Sequence, residues 1–160
     1  QPIRVYPLKT FPIVKDLVCD VSWNFEVAKR IQGLTLADEG SKEPLRMQQI
    51  DVDRVQEFRK CIECFLCQTV CHILRDNERK DIFFGPRQMI RLAPLDVADR
   101  TEFIKDSAGV GVCNITKCCT EICPEHIKIT DNGIIPLKER VADTYFDPVR
   151  KLLRWVGGRK

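Results

Sequence analysis

Cys61-Ile-Glu-Cys64-Phe-Leu-Cys67-Gln-Thr-Val-Cys71 reads C-x2-C-x2-C-x3-C without a break. A second run follows at Cys113-Asn-Ile-Thr116-Lys-Cys118-Cys119-Thr-Glu-Ile-Cys123-Pro124. The two runs hold eight of the nine cysteines in this 160-residue chain. A secreted disulfide scaffold is usually shorter and spreads its cysteines along the chain. Thiolates two residues apart can turn onto one centre, whereas the same pair makes an awkward disulfide. The runs therefore read as metal ligands. They imply a protein kept reduced during assembly, on the cytosolic or matrix side of a membrane.

The first run is the bacterial ferredoxin spacing, in which three cysteines hold one iron–sulfur cluster and the fourth reaches another. The reason is geometric. A loop through Cys61, Cys64 and Cys67 wraps one cubane, and a helical turn then points Cys71 away. Set on the same template, Cys113, Cys119 and Cys123-Pro124 fall in register, but the second ligand position is Thr116. A cubane site short of one thiolate favours loss of the corner iron. The expected sets are a [4Fe–4S] cluster on Cys61, Cys64, Cys67 and Cys123, and a [3Fe–4S] cluster on Cys71, Cys113 and Cys119. The plainer alternative is a pair of structural zinc sites using all eight cysteines. The three-residue step to Cys71 and the Cys123-Pro124 pair fit zinc ribbons poorly.

Working outward, the composition suits one packed domain. Hydrophobic residues make up 44% of the chain and charged residues 31%. A net charge of +3, from 26 basic and 23 acidic residues, is too balanced for a general nucleic-acid binder. No run approaches the roughly 18 apolar residues of a membrane span. No signal-type segment opens the chain. There is no H-E-x-x-H, no Gly-rich phosphate loop and no nucleophile–base arrangement. Two clusters with crossed ligands make an electron wire, which needs burial and a tuned potential rather than an acid or base.

The expected class is all-α: a helical ferredoxin-like domain over residues 21–160, preceded by an extended connector over 1–20. Pro2, Pro7 and Pro12 oppose helix in the connector, and Ile3, Val5, Ile13 and Val14 favour a short strand before a linker. Residues 33–44 read as a loop. Leu45 to Lys60 reads as a helix through Met47, Ile50, Val55 and Phe58. Pro86 starts a helix that buries Met89, Ile90 and Ala93 and ends near Pro94. Leu95 to Lys105 reads as a further helix with Val97, Ala98 and Ile104 inward, broken by Gly109 and Gly111. Asp131-Asn132-Gly133 reads as a turn. Pro136 to Thr144 and Pro148 to Val156 read as helices.

CIECFLCQTVC and CNITKCCTEICP closely resemble the iron–sulfur subunits of succinate dehydrogenases and fumarate reductases, in their C-terminal half. Pro7 to Val18 (PLKTFPIVKDLV) is similar to that family's connector between domains, and Glu57-Phe-Arg-Lys-Cys61 and Phe103-Ile-Lys-Asp-Ser107 also fit. The wording is nearest the actinobacterial, menaquinone-linked type. The resemblance implies the same two clusters. It implies an FAD-containing flavoprotein partner that interconverts succinate and fumarate. It also implies membrane anchor subunits that bind quinone, with haem b a candidate group there, and no nucleic acid. The family's N-terminal [2Fe–2S] half has no counterpart here. Either this sequence omits it or a separate chain carries it. The implied location is peripheral, on the cytoplasmic face of a bacterial inner membrane or the matrix face of a mitochondrial one. Other two-cluster carriers, of the heterodisulfide-reductase or glycolate-oxidase kind, are the alternative. They keep two complete cysteine runs, and Thr116 speaks against them.

Several residues depart from the family pattern. His72 follows Cys71 where Pro is common, Asp76 or a neighbour stands where the family has its quinone-facing Trp, and Asn114 replaces a His. Glu125-His126 stands for the usual Lys-Gly. These changes point away from a standard ubiquinone pocket and mark His72, Asn114 and Thr116 as candidate quinone-side or cluster-side residues. His126 reads as a surface residue, Cys118 as an unbonded buried thiol, and Cys19 as structural. The basic, apolar stretch from Val149 to Lys160 suits either a membrane surface or docking on its own domain.

Overall fold

The computed structural model describes residues 2–31, 33, 49–95 and 100–149. Two short strands, β1 (Ile13–Lys15) and β2 (Val18–Cys19), pair antiparallel within the connector. The described residues are therefore mostly helical with a small hairpin, not all-α. The extended connector folds back on itself because Asp16 takes a left-handed φ of 51° at the turn.

Helix α1 (Ser22–Arg30) follows directly. The Asp20 carboxylate accepts the Ser22 backbone N–H at 2.9 Å, and Lys29 and Arg30 close the last turn. Spacing did not single out this helix. Helix α2 (Gln49–Gln56) tightens into a 3-10 turn over Glu57–Lys60, so the chain reaches Cys61 as expected. Phe58 is buried and Val55 packs against the core, but Ile50 is exposed. Four short helices follow: α3 (Leu66–Thr69), α4 (His72–Arg75), α5 (Pro86–Leu92) and α6 (Cys118–Glu121). A longer helix, α7 (Ile135–Tyr145), follows. The loop of 33–44 (Gly33 apart), Met47, Val97, Ala98 and the terminal stretch from 150 onward lie outside the described residues.

The core forms where α5 meets the segment Ile129–Ile134 and α7. Phe83, Phe84, Met89, Ile90, Leu92, Ile104, Ile127, Ile129, Ile134 and Leu137 are all essentially inaccessible to solvent. Two glycines let the backbones approach. Gly85 (φ 84°) precedes α5, and a Cβ there would lie 2.0 Å from Gln68 Oε1. Gly109 (φ 66°) passes so close to Ile82 that a Cβ would lie 1.7 Å from its carbonyl oxygen.

One expectation fails outright. Asp131-Asn132-Gly133 is not a turn but part of a π-helical stretch, Ile129–Ile134, that runs straight into α7. Tertiary partners override the local preference. Lys117 Nζ pairs with Asp131 at 2.6 Å, and Asn132 Nδ2 donates to Glu57 Oε1 at 2.5 Å. Gly133 packs under Ile90 and Phe58. A second π-helical stretch, Phe103–Ser107, ends the region expected to be an ordinary helix.

The connector is tied to the core at one point. Lys80 Nζ donates to the Thr10 carbonyl at 2.5 Å and lies over the rings of Phe11 and Trp23. Thr10 Oγ1 reaches the carbonyls of Gln68 and Thr69 at 3.4 Å each. Phe11 and Phe25 both meet Phe65 edge-on. The connector thus sits on the back of the first cysteine loop.

Candidate metal centre

The two cysteine runs take the same backbone path. A 3-10 turn delivers the chain to each: the Cys61 N–H bonds Phe58 O at 3.2 Å, and the Cys113 N–H bonds Val110 O at 3.3 Å. Left-handed residues then fall at matching steps, Glu63 (57°) and Phe65 (58°) in the first run, Ile115 (60°) and Lys117 (62°) in the second. A short helix, α3 or α6, starts immediately after each pair. A left-handed β-branched residue such as Ile115 is strained, and such strain persists where a site demands the shape. Alternating right- and left-handed residues turn successive N–H groups inward, a concavity that suits anions and many iron–sulfur clusters.

Superposed by step, Thr116 stands where Cys64 stands, and Cys118 stands where Leu66 stands. Cys118 therefore belongs to the helix start and not to the ring of ligands. It is half-exposed rather than buried, which corrects the expectation for it. Its Sγ lies 3.5 Å from Thr116 Oγ1 and 3.8 Å from the Thr116 carbonyl.

Cys61, Cys64, Cys67 and Cys123 line one partly open pocket, together with Ile90, Arg87 and Glu125. Burial, then charge on Cys119, Cys61, Cys64 and Cys123, pushes the Cys67 thiol far above its ordinary range. Buried Cys71 is also pushed up, by desolvation and by the charges of Cys113 and Cys119, against the pull of the Leu74 and Ile73 N–H groups. Burial raises Cys119 too, with Cys113 adding repulsion and the Thr130 hydroxyl opposing it. The structure thus brings the seven cysteines together as a group of four and a group of three. Contact between α3 and α6 sets the groups side by side.

Among the described residues, no three or more His, Cys, Asp or Glu side chains close to the spacing of a single metal ion. The wall of the four-cysteine pocket is thiolate and mostly apolar, with Arg87 and Glu125 as the charged residues of its lining. That donor set fits a cubane cluster.

His72 and Asn114 meet beside the three-cysteine group: the His72 Nε2 lies 2.8 Å from Asn114 Oδ1. Each follows a cysteine of that group, and Asn114 is exposed. Thr116 is exposed as well. His126 is exposed, as expected, with a left-handed φ of 52°. Cys19 is half-buried with its Sγ 3.7 Å from the Leu8 carbonyl, consistent with a structural role in the connector.

Two residues near the cysteines were not legible by spacing. Thr130 is buried, and its hydroxyl lies 3.4 Å from Cys119 Sγ. Arg87 opens α5, is buried, and its Nη2 pairs with Glu63. Position within a helix could not reveal either; only the packing of distant segments does.

The helical fold and the paired cysteine loops suit an iron–sulfur domain. Residues 57–127 match the family described as "4Fe-4S dicluster domain". The chain is similar to the iron–sulfur subunits of succinate dehydrogenases and fumarate reductases. It is 29% identical over 144 residues to the succinate dehydrogenase iron-sulfur subunit of Bacillus subtilis, covering 81% of this chain and 54% of that one. It is 27% identical to the fumarate reductase iron-sulfur subunit of Mycobacterium tuberculosis, covering 98% and 65%. A chain in the structure of the Mycobacterium smegmatis Sdh1 complex in the apo form is 57% identical, with a TM-score of 0.77, covering 89% of this chain and 62% of that one. The chain thus spans a little over half to about two thirds of the length of these relatives.

Proposed function

We propose that this chain is the two-cluster part of the electron-transfer subunit of a succinate:quinone oxidoreductase. Cys61, Cys64, Cys67 and Cys123 would hold a [4Fe–4S] cluster, and Cys71, Cys113 and Cys119 a [3Fe–4S] cluster. The observation that carries the reading is the shared loop shape with Thr116 at the step of Cys64: one loop offers a full thiolate set and its twin is one short. Bound clusters supply one-electron transfer. The chain's residues supply thiolates, exclude water and set the potentials. No succinate site is assigned to this chain.

The partners follow from the same reading. A flavoprotein carrying FAD would deliver electrons to the four-cysteine side. A membrane anchor would present quinone near the three-cysteine side, where His72 and Asn114 face outward. A [2Fe–2S] domain would precede the connector, with residues 1–20 as the connector and 21–160 as the helical domain. Among the described residues no helix is long and apolar enough to cross a membrane, so the subunit would sit peripherally on the anchor, on the cytoplasmic or matrix face.

Low-temperature EPR on the oxidised, anaerobically isolated complex tests the reading. An oxidised [3Fe–4S] cluster is paramagnetic, and an oxidised low-potential [4Fe–4S] cluster is silent. The expected result is a signal near the free-electron value that disappears on mild reduction. Silence when oxidised, with two cubane signals on strong reduction, would point instead to a carrier with two [4Fe–4S] clusters.

A further inference from the structure

Arg87 presents an unsolved cost. Its residue exposure is 8%. Its Nη2 pairs with Glu63, but its Nε is buried with no hydrogen-bond partner. A buried N–H donor left unpaired costs about 1–3 kcal/mol, and more on a charged group. The same side chain lines the cavity walled by Cys61, Cys64, Cys67 and Cys123, and among the described residues lining it Arg87 is the basic one. A cation and an orphan donor therefore stand where the sulfur shell of the four-cysteine site is expected, with Glu125 as the acidic residue of the same lining.

We propose that Arg87 is the cation of the four-cysteine site: its Nε donates to the sulfur shell of the [4Fe–4S] cluster, and its charge raises that cluster's reduction potential. The inference rests on the ligand set proposed above. Four thiolates leave a cubane with net negative charge, and reduction adds to it. A guanidinium in a poorly solvated wall stabilises the reduced state more than the oxidised one. Glu63 is the positioning residue. It sits between Cys61 and Cys64 on the strained loop and holds the outer edge of the guanidinium, with Arg91 at 3.9 Å from the same carboxylate oxygen. Glu63 is 42% exposed, so water screens its charge and the pair does not cancel the field inside the cavity. Arg87 keeps its proton throughout. The electron enters from an external reductant and stays on the cluster.

The test is an EPR-monitored redox titration of the [4Fe–4S] cluster in the intact complex, with dithionite as reductant. Arg87→Met should lower the midpoint potential by roughly tenfold in the reduction equilibrium, about 59 mV for one electron. Arg87→Lys keeps the charge without Nε and should fall between. Glu63→Gln keeps an acceptor for Arg87 but removes its negative charge, so the potential should rise. A full cluster complement with an unmoved potential in Arg87→Met would overturn the proposal. If that variant assembles no cubane, Arg87→Lys decides: a full cluster complement with an unmoved potential rejects the donation from Nε. Failure of the parent reading looks different, because the unmodified complex would then lack the oxidised-state [3Fe–4S] signal or give no cluster signal at all.

Discussion

The Thr130 hydroxyl lies 3.4 Å from Cys119 Sγ, and its remaining contacts leave it one direction in which to donate. The Thr130 N–H bonds Thr120 Oγ1 at 3.0 Å. With that lone pair used, Thr120 donates its own proton to Thr130 Oγ1, also at 3.0 Å. Thr130 then turns its proton to the sulfur. Donation to a ligand sulfur favours the electron-rich state of a cluster. Thr130→Val should therefore lower the potential of the cluster on Cys119 by about 30–60 mV, a three- to tenfold change for one electron. Thr130→Ser should restore it. Potentiometric EPR in the oxidised-to-reduced direction reads both.

Thr116→Cys places a thiol at the step occupied by Cys64 in the other loop. The variant should bind a fourth iron there and convert the oxidised-state signal into an EPR-silent cubane. Cys118→Ser, one step into α6, should leave the signal in place. An unmodified protein that is silent when oxidised, with a signal appearing in Cys118→Ser, would instead make Cys118 the fourth ligand.

Loading depends on pH through the buried thiols. Cys67, Cys71 and Cys119 are all held above the ordinary thiol range, chiefly by burial. At pH 7 they are protonated in the empty site, and cluster binding must release those protons. Reconstitution from iron and sulfide should become more favourable between pH 7 and pH 9. The empty fold behaves oppositely. A thiol whose folded pKa is raised favours the fold below its unfolded pKa, and that contribution is lost as pH rises toward the folded value. Denaturation of the reduced, metal-free protein should therefore show falling stability above about pH 9. A flat profile for both quantities would contradict the burial of these three groups.

Gly109→Ala forces a Cβ against the Ile82 carbonyl oxygen, at 1.7 Å, with a φ of 66°. Strain and overlap together should cost at least about 2 kcal/mol. Thermal unfolding of the loaded protein should show a lower Tm. Gly111→Ala, where nothing lies within 4 Å of the added atom, is the matched control and should change Tm little.

Lys80→Met removes one hydrogen bond and two ring contacts that hold the connector. The loss should be about 1–2 kcal/mol, confined to the connector. Limited proteolysis should then cut faster around the hairpin at 13–19, while the cluster signals stay unchanged.

The two matched cysteine loops and the gathering of Cys61, Cys64, Cys67 and Cys123 are legible in the sequence because spacing encodes which thiols can turn to one side. Pro86 and Pro136 marked helix starts because their missing N–H groups are harmless there. The Asp131-Asn132-Gly133 segment was misread because its helical state depends on Lys117 and Glu57, partners 14 and 75 residues away in sequence. Ile13 and Val14 mark a strand in the sequence, but its pairing with Val18–Cys19 does not show there, because a two-residue partner is too short for alternation to register. Arg87 and Thr130 carry no motif at all. Their significance comes from which sulfur or cavity the fold sets beside them.

The matched loops also have a hereditary meaning. A single backbone template, used twice, holds its shape through left-handed steps that sit between the ligands and not on them. Side chains at the ligand steps are then free to diverge without redrawing the loop. With threonine at position 116, the step that holds Cys64 in the first loop, the twin loops present unequal side chains on one backbone shape.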